Sequence, residues 1–190
     1  MDTRERILHA AEAELHERGP DRFSLRSVAR RVELTPMAVY RHFQDREDLQ
    51  GALIARGYEA LMRHLQPALI GPTPRERLSM MVGGYVDFAL SAPGTYALMF
   101  SHRMDGEDQR KLANRRNAAS FLMLQDRVRE CVSAGVFPAD ADPESVALDV
   151  WGMLHGLVTL HYAGKIGFSE ERLRTHIEKM IDRLFPDSAT

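Results

Sequence analysis

The chain has 190 residues, 44% hydrophobic and 27% charged, a balance that excludes a disordered tract and lets a core bury about 70% of the unfolded surface unaided. Cys131 is the only cysteine, the start MDTRERILHA is charged, and no apolar run nears the roughly 20 residues of a bilayer span, so a cytoplasmic protein with no disulfide and no membrane partner is expected. The net charge of −2 does not announce a nucleic-acid partner, yet between Arg22 and Arg46 six arginines (22, 26, 30, 31, 41, 46) meet only Glu33 and Asp45. That local balance of +4 can attract phosphate, a solvated helix face being the plain alternative.

Residues 3–18 place Ile7, Leu8, Ala11 and Leu15 on one helical stripe, closed by Gly19-Pro20. Leu25, Val28, Ala29 and Val32 repeat that spacing in a short amphipathic helix beginning near Ser24. Thr35-Pro36 is a start signal: a hydroxyl cap, then a proline whose missing N–H costs nothing at the first helical position. Asp45 caps a helix running to about Leu65, with Glu47 and Asp48 suited to the positive end of its dipole. Gly71, Pro72 and Pro74 mark the expected hinge. Thr73 to Glu76 then forms a capping box into a helix that ends near Ser91. A short segment around Thr95 precedes a polar loop containing Asp105-Gly106, and a long helix from about Glu107 stops at Gly135. Asp142-Pro143-Glu144 opens a helix to about Ala163, and Ser169-Glu170-Glu171 opens the last, to Leu184. No strand of period two and no internal repeat appears. The expected fold class is all-α, with about nine helices.

The segment 24-SLRSVARRVELTPMAVYRHF-43 puts both core and polar residues in a short span. Built as a helix at about 100° per residue, it sets Phe43 on the same side as Val39 and turns Met37, Ala38, Tyr40 and Arg41 outward. Packed on Val28, Ala29 and Val32 through a turn at Glu33-Leu34, this is the pattern of a helix-turn-helix. The outward set suits DNA. Arginine bonds a guanine edge or a phosphate, tyrosine and threonine hydroxyls bond phosphate, and methionine or alanine touches a thymine methyl.

From about Thr3 through the start of the helix after Asp45, SLRSVARRVELTPMAVYRHFQDREDL resembles the DNA-binding domain of the TetR family of bacterial transcriptional regulators. The most specific part is 39-VYRHF-43 followed by 46-REDL-49. The resemblance implies that Thr35, Pro36, Met37, Ala38, Tyr40, Arg41 and His42 enter the major groove, with Arg46 near the backbone. Ser24 and Arg26 complete the expected contact set. It also implies a three-helix helix-turn-helix domain over residues 1–48, continuing into the helix 45–65. That long helix joins it to a helical ligand-binding and dimerisation domain over 49–190. One residue departs from the family pattern, which usually has glycine in the turn where this chain has Glu33. A left-handed backbone there costs glutamate roughly 1 kcal/mol more than glycine.

Further on, 93-PGTYALMF-100 and 151-WGMLHGLVTL-160 resemble the WHG class of TetR-family ligand-binding domains, over roughly Pro74 to Leu184. Read directly, the helix 144–163 is apolar nearly all round and must be buried on more than one side. Gly152 and Gly156, four apart, let another backbone approach closely. The last helix presents Leu173, Ile177, Met180, Ile181 and Leu184 on one stripe. With Leu154, Leu157, Val158 and His161, these residues suit a four-helix bundle made with a second copy, the homodimer that the resemblance also implies. Tyr58, Met62, Met81, Tyr85, Phe88, Met99, Phe100, Phe121, Met123, Trp151 and His155 are the candidate lining of a ligand cavity. Methionine suits adaptable pockets, and such cavities are mostly apolar. Ordinary core packing is the alternative for most of this set, and a satisfied structural histidine is the alternative for His155.

Enzyme signatures are missing: no HExxH, CxxC, Walker loop or GxSxG occurs. His155 and His161 fall roughly 240° apart around a helix and make no metal pair. Ser101-His102 with Asp105 contains triad residue types, but sequence neighbours rarely form that geometry. No catalysis, metal or cofactor is expected. The expected function is transcriptional repression by a dimer that binds a palindromic double-stranded operator and is released by a small apolar or aromatic effector. The alternatives are a TetR-like activator, or a helical adaptor that uses the motif only for protein contacts; a salt-dependent gel shift separates the adaptor from a DNA binder.

Overall fold

The computed structural model describes residues 2–101 and 107–184; His102 and the loop expected at Asp105-Gly106 lie outside them. Among the described residues there are nine α-helices and no strand. They are α1 (Thr3–Arg18), α2 (Leu25–Arg31), α3 (Pro36–Tyr40), α4 (Arg46–Leu65), α5 (Pro74–Ser91), α6 (Pro93–Ser101), α7 (Glu107–Ser133), α8 (Pro143–Tyr162) and α9 (Glu170–Leu184). Single 3-10 turns stand at Pro20–Arg22 and Gln66–Leu69. No helix among the described residues is long and apolar enough to cross a membrane.

Helices begin where a side chain can satisfy the free N–H groups of the first turn. The Asp48 N–H donates to Asp45 Oδ1 at 2.8 Å, and the Ser145 N–H to Asp142 Oδ2 at 3.0 Å. Thr73 and Glu76 cap each other reciprocally, at 3.0 and 3.2 Å. Helix ends follow one scheme three times. After α2, α7 and α8, a residue with positive φ is followed by an N–H that reaches back to a carbonyl of the last turn. These are Leu34 to Ala29 at 2.9 Å, Val136 to Cys131 at 2.9 Å and Lys165 to Leu160 at 2.9 Å. Glycine fills the left-handed position at Gly135 (φ 74°) and Gly164 (φ 64°), whereas α2 uses Glu33 (φ 57°).

The helices form two compact units, Met1–Ala60 with Ala92–Asn117, and Leu61–Ser91 with Ala118–Thr190. In the first, α1 packs on α2 and α6, and α2 on α3. Its interior includes Ile7, Leu8, Leu15, Phe23, Val28, Val39, Phe43 and Leu49. Glu14 is buried there as well, its carboxylate facing Arg18 at 3.2 Å and Arg31 at 3.4 Å. In the second unit, α5 packs on the Gln66–Leu69 turn, α8 and α9, around Leu78, Phe88, Leu154, Val158 and Leu173. The Gly71–Pro74 stretch expected as a hinge lies inside this unit, where Arg77 donates to the Gly71 carbonyl at 2.7 Å.

Candidate nucleic-acid interface

Two short helices and their turn build the candidate surface. Ser24 caps α2, accepting from the Ser27 N–H at 3.1 Å, while the Ser24 N–H donates to Ser27 Oγ at 3.3 Å. The Ser24 hydroxyl, expected at DNA, therefore also holds the start of α2. Thr35 does the same for α3, accepting from the Ala38 N–H at 3.2 Å, with Pro36 in the first helical position. Val39 (0% exposed) and Phe43 (1%) point inward, as the helical wheel requires, and α3 packs on α2, whose Val28 and Ala29 are also buried. The opposite side is open: Met37 is 68% and Tyr40 48% exposed, and Thr35, Pro36, Arg41 and His42 are exposed beside them. Ala38 is half-buried. A methionine and a tyrosine this exposed cost hydrophobic free energy in water, which a surface that meets a partner recovers.

The cations of the +4 window divide by role. Arg31 is paired with Glu14 and Glu17 and ties α2 to α1. The hydrogen bond from Arg31 holds the Glu17 carboxyl below its usual range. Arg46 donates to the Pro20 carbonyl at 2.8 Å, so its guanidinium is partly engaged by the protein. Arg22, Arg26, Arg30 and Arg41 are exposed and form no ion pair among the described residues. Arg22 and Arg30 belong to the arginine-rich window but not to the contact set expected from the sequence.

Glu33 holds the turn in the left-handed region, as the departure from the family pattern anticipates. Glu33→Gly is expected to raise stability by about 0.5–1 kcal/mol, the relief of left-handed strain less the extra freedom of glycine in the unfolded chain. Thermal unfolding should show a midpoint higher by roughly 1–4 °C. An unchanged or lower midpoint would mean the turn is not strained.

The candidate ligand residues fall into two groups. In the first unit, Tyr58 meets Phe100 edge-on with centroids 6.4 Å apart, and Met99 packs into the notch left by Gly57. Burial pushes the Tyr58 hydroxyl up to about 12. In the second unit, Phe121 lies 5.9 Å from Trp151, Trp151 lies 6.1 Å from His155, and Tyr85 Oη lies 3.2 Å from His155 Nδ1. Met81 and Phe88 are buried, Phe88 against His64 at 5.9 Å, while Met62 and Met123 are half-buried.

Burial lowers the His155 pKa from its ordinary value of 6.5, so the ring is neutral at pH 7. Its folded-state value lies below the unfolded one, so the unfolded chain binds more protons in between. Stability should fall as pH drops below about 6.5 and level off beneath the folded-state value. His155→Gln, which keeps a polar partner for Tyr85, should flatten this component of the melting-temperature profile; an identical acid slope in both proteins would contradict it.

Of the residues expected at a subunit interface, Leu154, Val158, Leu173, Ile177 and Ile181 are already buried within the single chain. α9 packs on α5 and α8 of its own chain. Leu157, His161 and Met180 are half-buried, and Leu184 is 44% exposed. The face of α8 that remains open carries Leu148 (54%), Gly152, Gly156 and Leu160 (44%), with nothing within 4 Å of a Cβ placed on either glycine. A separate groove of about 620 Å³ between α5 and α9 is lined by Val82, Val86, Ile177 and Ile181, with Asp87 and Arg174 paired beside it. None of the candidate ligand residues lines that groove.

Comparison with known proteins agrees with this geometry. Residues 7–53 match the family described as bacterial regulatory proteins, tetR family, and residues 78–184 match the tetracyclin repressor-like C-terminal domain. An uncharacterized HTH-type transcriptional regulator of Mycobacterium tuberculosis, Rv0681, is 26% identical over 162 residues, covering 85% of this chain and 71% of that protein. The TetR-family regulator PfmR of Thermus thermophilus superposes with a TM-score of 0.79 at 19% identity, covering 100% of this chain and 99% of its own. AibR, solved with isovaleryl coenzyme A and operator DNA, superposes with a TM-score of 0.78 at 19% identity over 97% and 99% of the two chains.

Proposed function

Because the chain belongs to the TetR family of DNA-binding transcriptional regulators, which are not enzymes, we propose that it is a homodimeric repressor acting on a palindromic operator. The observation that carries this reading is the exposed face of α3, where Met37, Tyr40 and Arg41 stand clear of a core closed by Val39 and Phe43. The DNA-binding domain is residues 1–48, continuing into α4, and residues 49–190 bind ligand and dimerise. Its DNA contacts are Ser24, Arg26, Thr35 to Ala38, Tyr40 to His42, and Arg46. Two copies place two α3 helices on half-sites about one turn of DNA apart.

The second copy is seated on the open face of α8, where Leu148, Gly152, Gly156 and Leu160 allow close helix approach, with Leu157, His161, Met180 and Leu184 at its margins. A small apolar or aromatic effector lowers DNA affinity by binding one arrangement of the dimer better than the other. The neutral His155 with Tyr85, Phe121 and Trp151 supplies its polar anchor and aromatic walls. That AibR was solved with both a coenzyme A thioester and operator DNA supports a fold that serves both partners. Such a protein works in the cytoplasm.

The test is binding to the duplex upstream of its own gene. A footprint with two-fold symmetry, affinity falling steeply with salt, and a dimer in sedimentation are the expected results. A monomer, or binding no tighter than to random duplex, would end the repressor reading.

A further inference from the structure

The DNA contacts proposed above lie on α2, α3 and the start of α4, yet a further cation is held beside them by the first turn of α1. Arg4, in the first turn of α1, is exposed, and its guanidinium carbon sits 5.0 Å above the centre of the Phe43 ring. Phe43 is itself held rigidly. It is 1% exposed, and its N–H donates to the Val39 carbonyl at 3.0 Å, continuing the last turn of α3. Arg4 is therefore laid against the residue that directly follows Arg41 and His42, both exposed.

Stacking on an aromatic face leaves the N–H edge of a guanidinium free, and its planar fork matches phosphate oxygens. The surroundings do not cancel this charge. Arg4 has no ion pair or hydrogen bond among the described residues, and the neighbouring acid Glu5 is taken by Arg56 at 2.7 Å. Arg6, two positions on, behaves differently: although exposed, it donates to the Val32 carbonyl at 3.2 Å. Of these two arginines, one braces the end of α2 and the other presents its charge outward beside α3. We propose that Arg4, stacked on Phe43, binds a phosphodiester of duplex DNA and extends the contact surface from α3 to the first turn of α1.

This inference rests on α3 being the helix that meets DNA, and the experiment separates the two. Full-length protein carrying Arg4→Ala, Arg4→Lys or Arg41→Ala is titrated with the duplex upstream of its own gene and with a random duplex, over roughly 50 to 200 mM salt. Arg4→Ala should weaken both duplexes alike, by about three- to tenfold at low salt, and reduce the salt slope by about one per protomer. Arg4→Lys should restore the slope, because the charge is kept, and only part of the affinity, because an ammonium lacks the planar stack. A packing role alone would move the melting temperature without moving the slope. If Arg4→Ala keeps the wild-type slope while Arg41→Ala loses binding, Arg4 is no phosphate ligand and α3 keeps its role. If neither substitution changes binding, the choice of α3 falls, and this inference with it.

Discussion

Arg41→Ala is expected to weaken operator binding by about tenfold for each half-site engaged, with helix content and sedimentation unchanged. Arg41 is exposed, lies immediately after α3 and forms no ion pair among the described residues, so its removal breaks nothing within the protein. A guanidinium that bonds a guanine edge carries sequence information, and one that bonds phosphate does not. The two roles differ in readout. Loss of the operator's advantage over random duplex marks a base contact, and equal weakening of both marks a phosphate contact. Tyr40→Ala, which removes a hydroxyl and a half-exposed ring, should weaken both duplexes by a smaller factor. Wild-type affinity in both variants would show that another surface meets DNA.

The largest effect on stability is expected from Gly94→Ala. Gly94 is buried at the start of α6, where a Cβ would overlap the Leu15 carbonyl oxygen, stand 2.5 Å from its carbon and lie 2.9 Å from the His16 nitrogen. All three obstructing atoms are backbone, and none can rotate away as a side chain would. Overpacking commonly costs about 1–3 kcal/mol, and a backbone clash belongs at the upper end, a large part of a typical stability of about 5–15 kcal/mol. The same Leu15 carbonyl accepts the Gly19 N–H at 2.9 Å, the bond that ends α1 and directs the chain toward α2. Displacing it should therefore weaken DNA binding as well. Gly83→Ala is the matched control. It lies on the exposed side of α5 with nothing within 4 Å of an added Cβ, and alanine there should stabilise by about 0.5–1 kcal/mol. Equal melting temperatures for the two variants would show that α6 does not seat on α1 as described.

Much of the fold was legible because its signals are local. Thr35-Pro36, Asp45, Thr73 with Glu76, Asp142 and Ser169 each mark a helix start by chemistry that acts within one turn. The division of α3 into a buried Val39 side and an exposed side bearing Met37 and Tyr40 follows from helical periodicity alone. Less legible were features that join distant parts of the chain. The burial of Glu14 depends on Arg31 of another helix, and the seat of Gly94 depends on the backbone of α1. The stacking of Arg4 on Phe43 joins the first turn of α1 to the residue that closes α3.

By itself, then, the amino-acid order determined an all-α chain, the places where its helices begin and end, and a helix-turn-helix that shows polar and aromatic tips to its surroundings. Only the tertiary structure decided what covers each apolar stripe. The stripe of Leu173, Ile177 and Ile181 reads from the sequence as a subunit contact, and within the single chain these residues are buried where α9 packs on α5 and α8. The glycine-lined face of α8 is left open instead. Periodicity tells which side of a helix avoids water, because that depends on neighbours three and four residues away; which surface excludes the water depends on long-range packing, which no local pattern encodes.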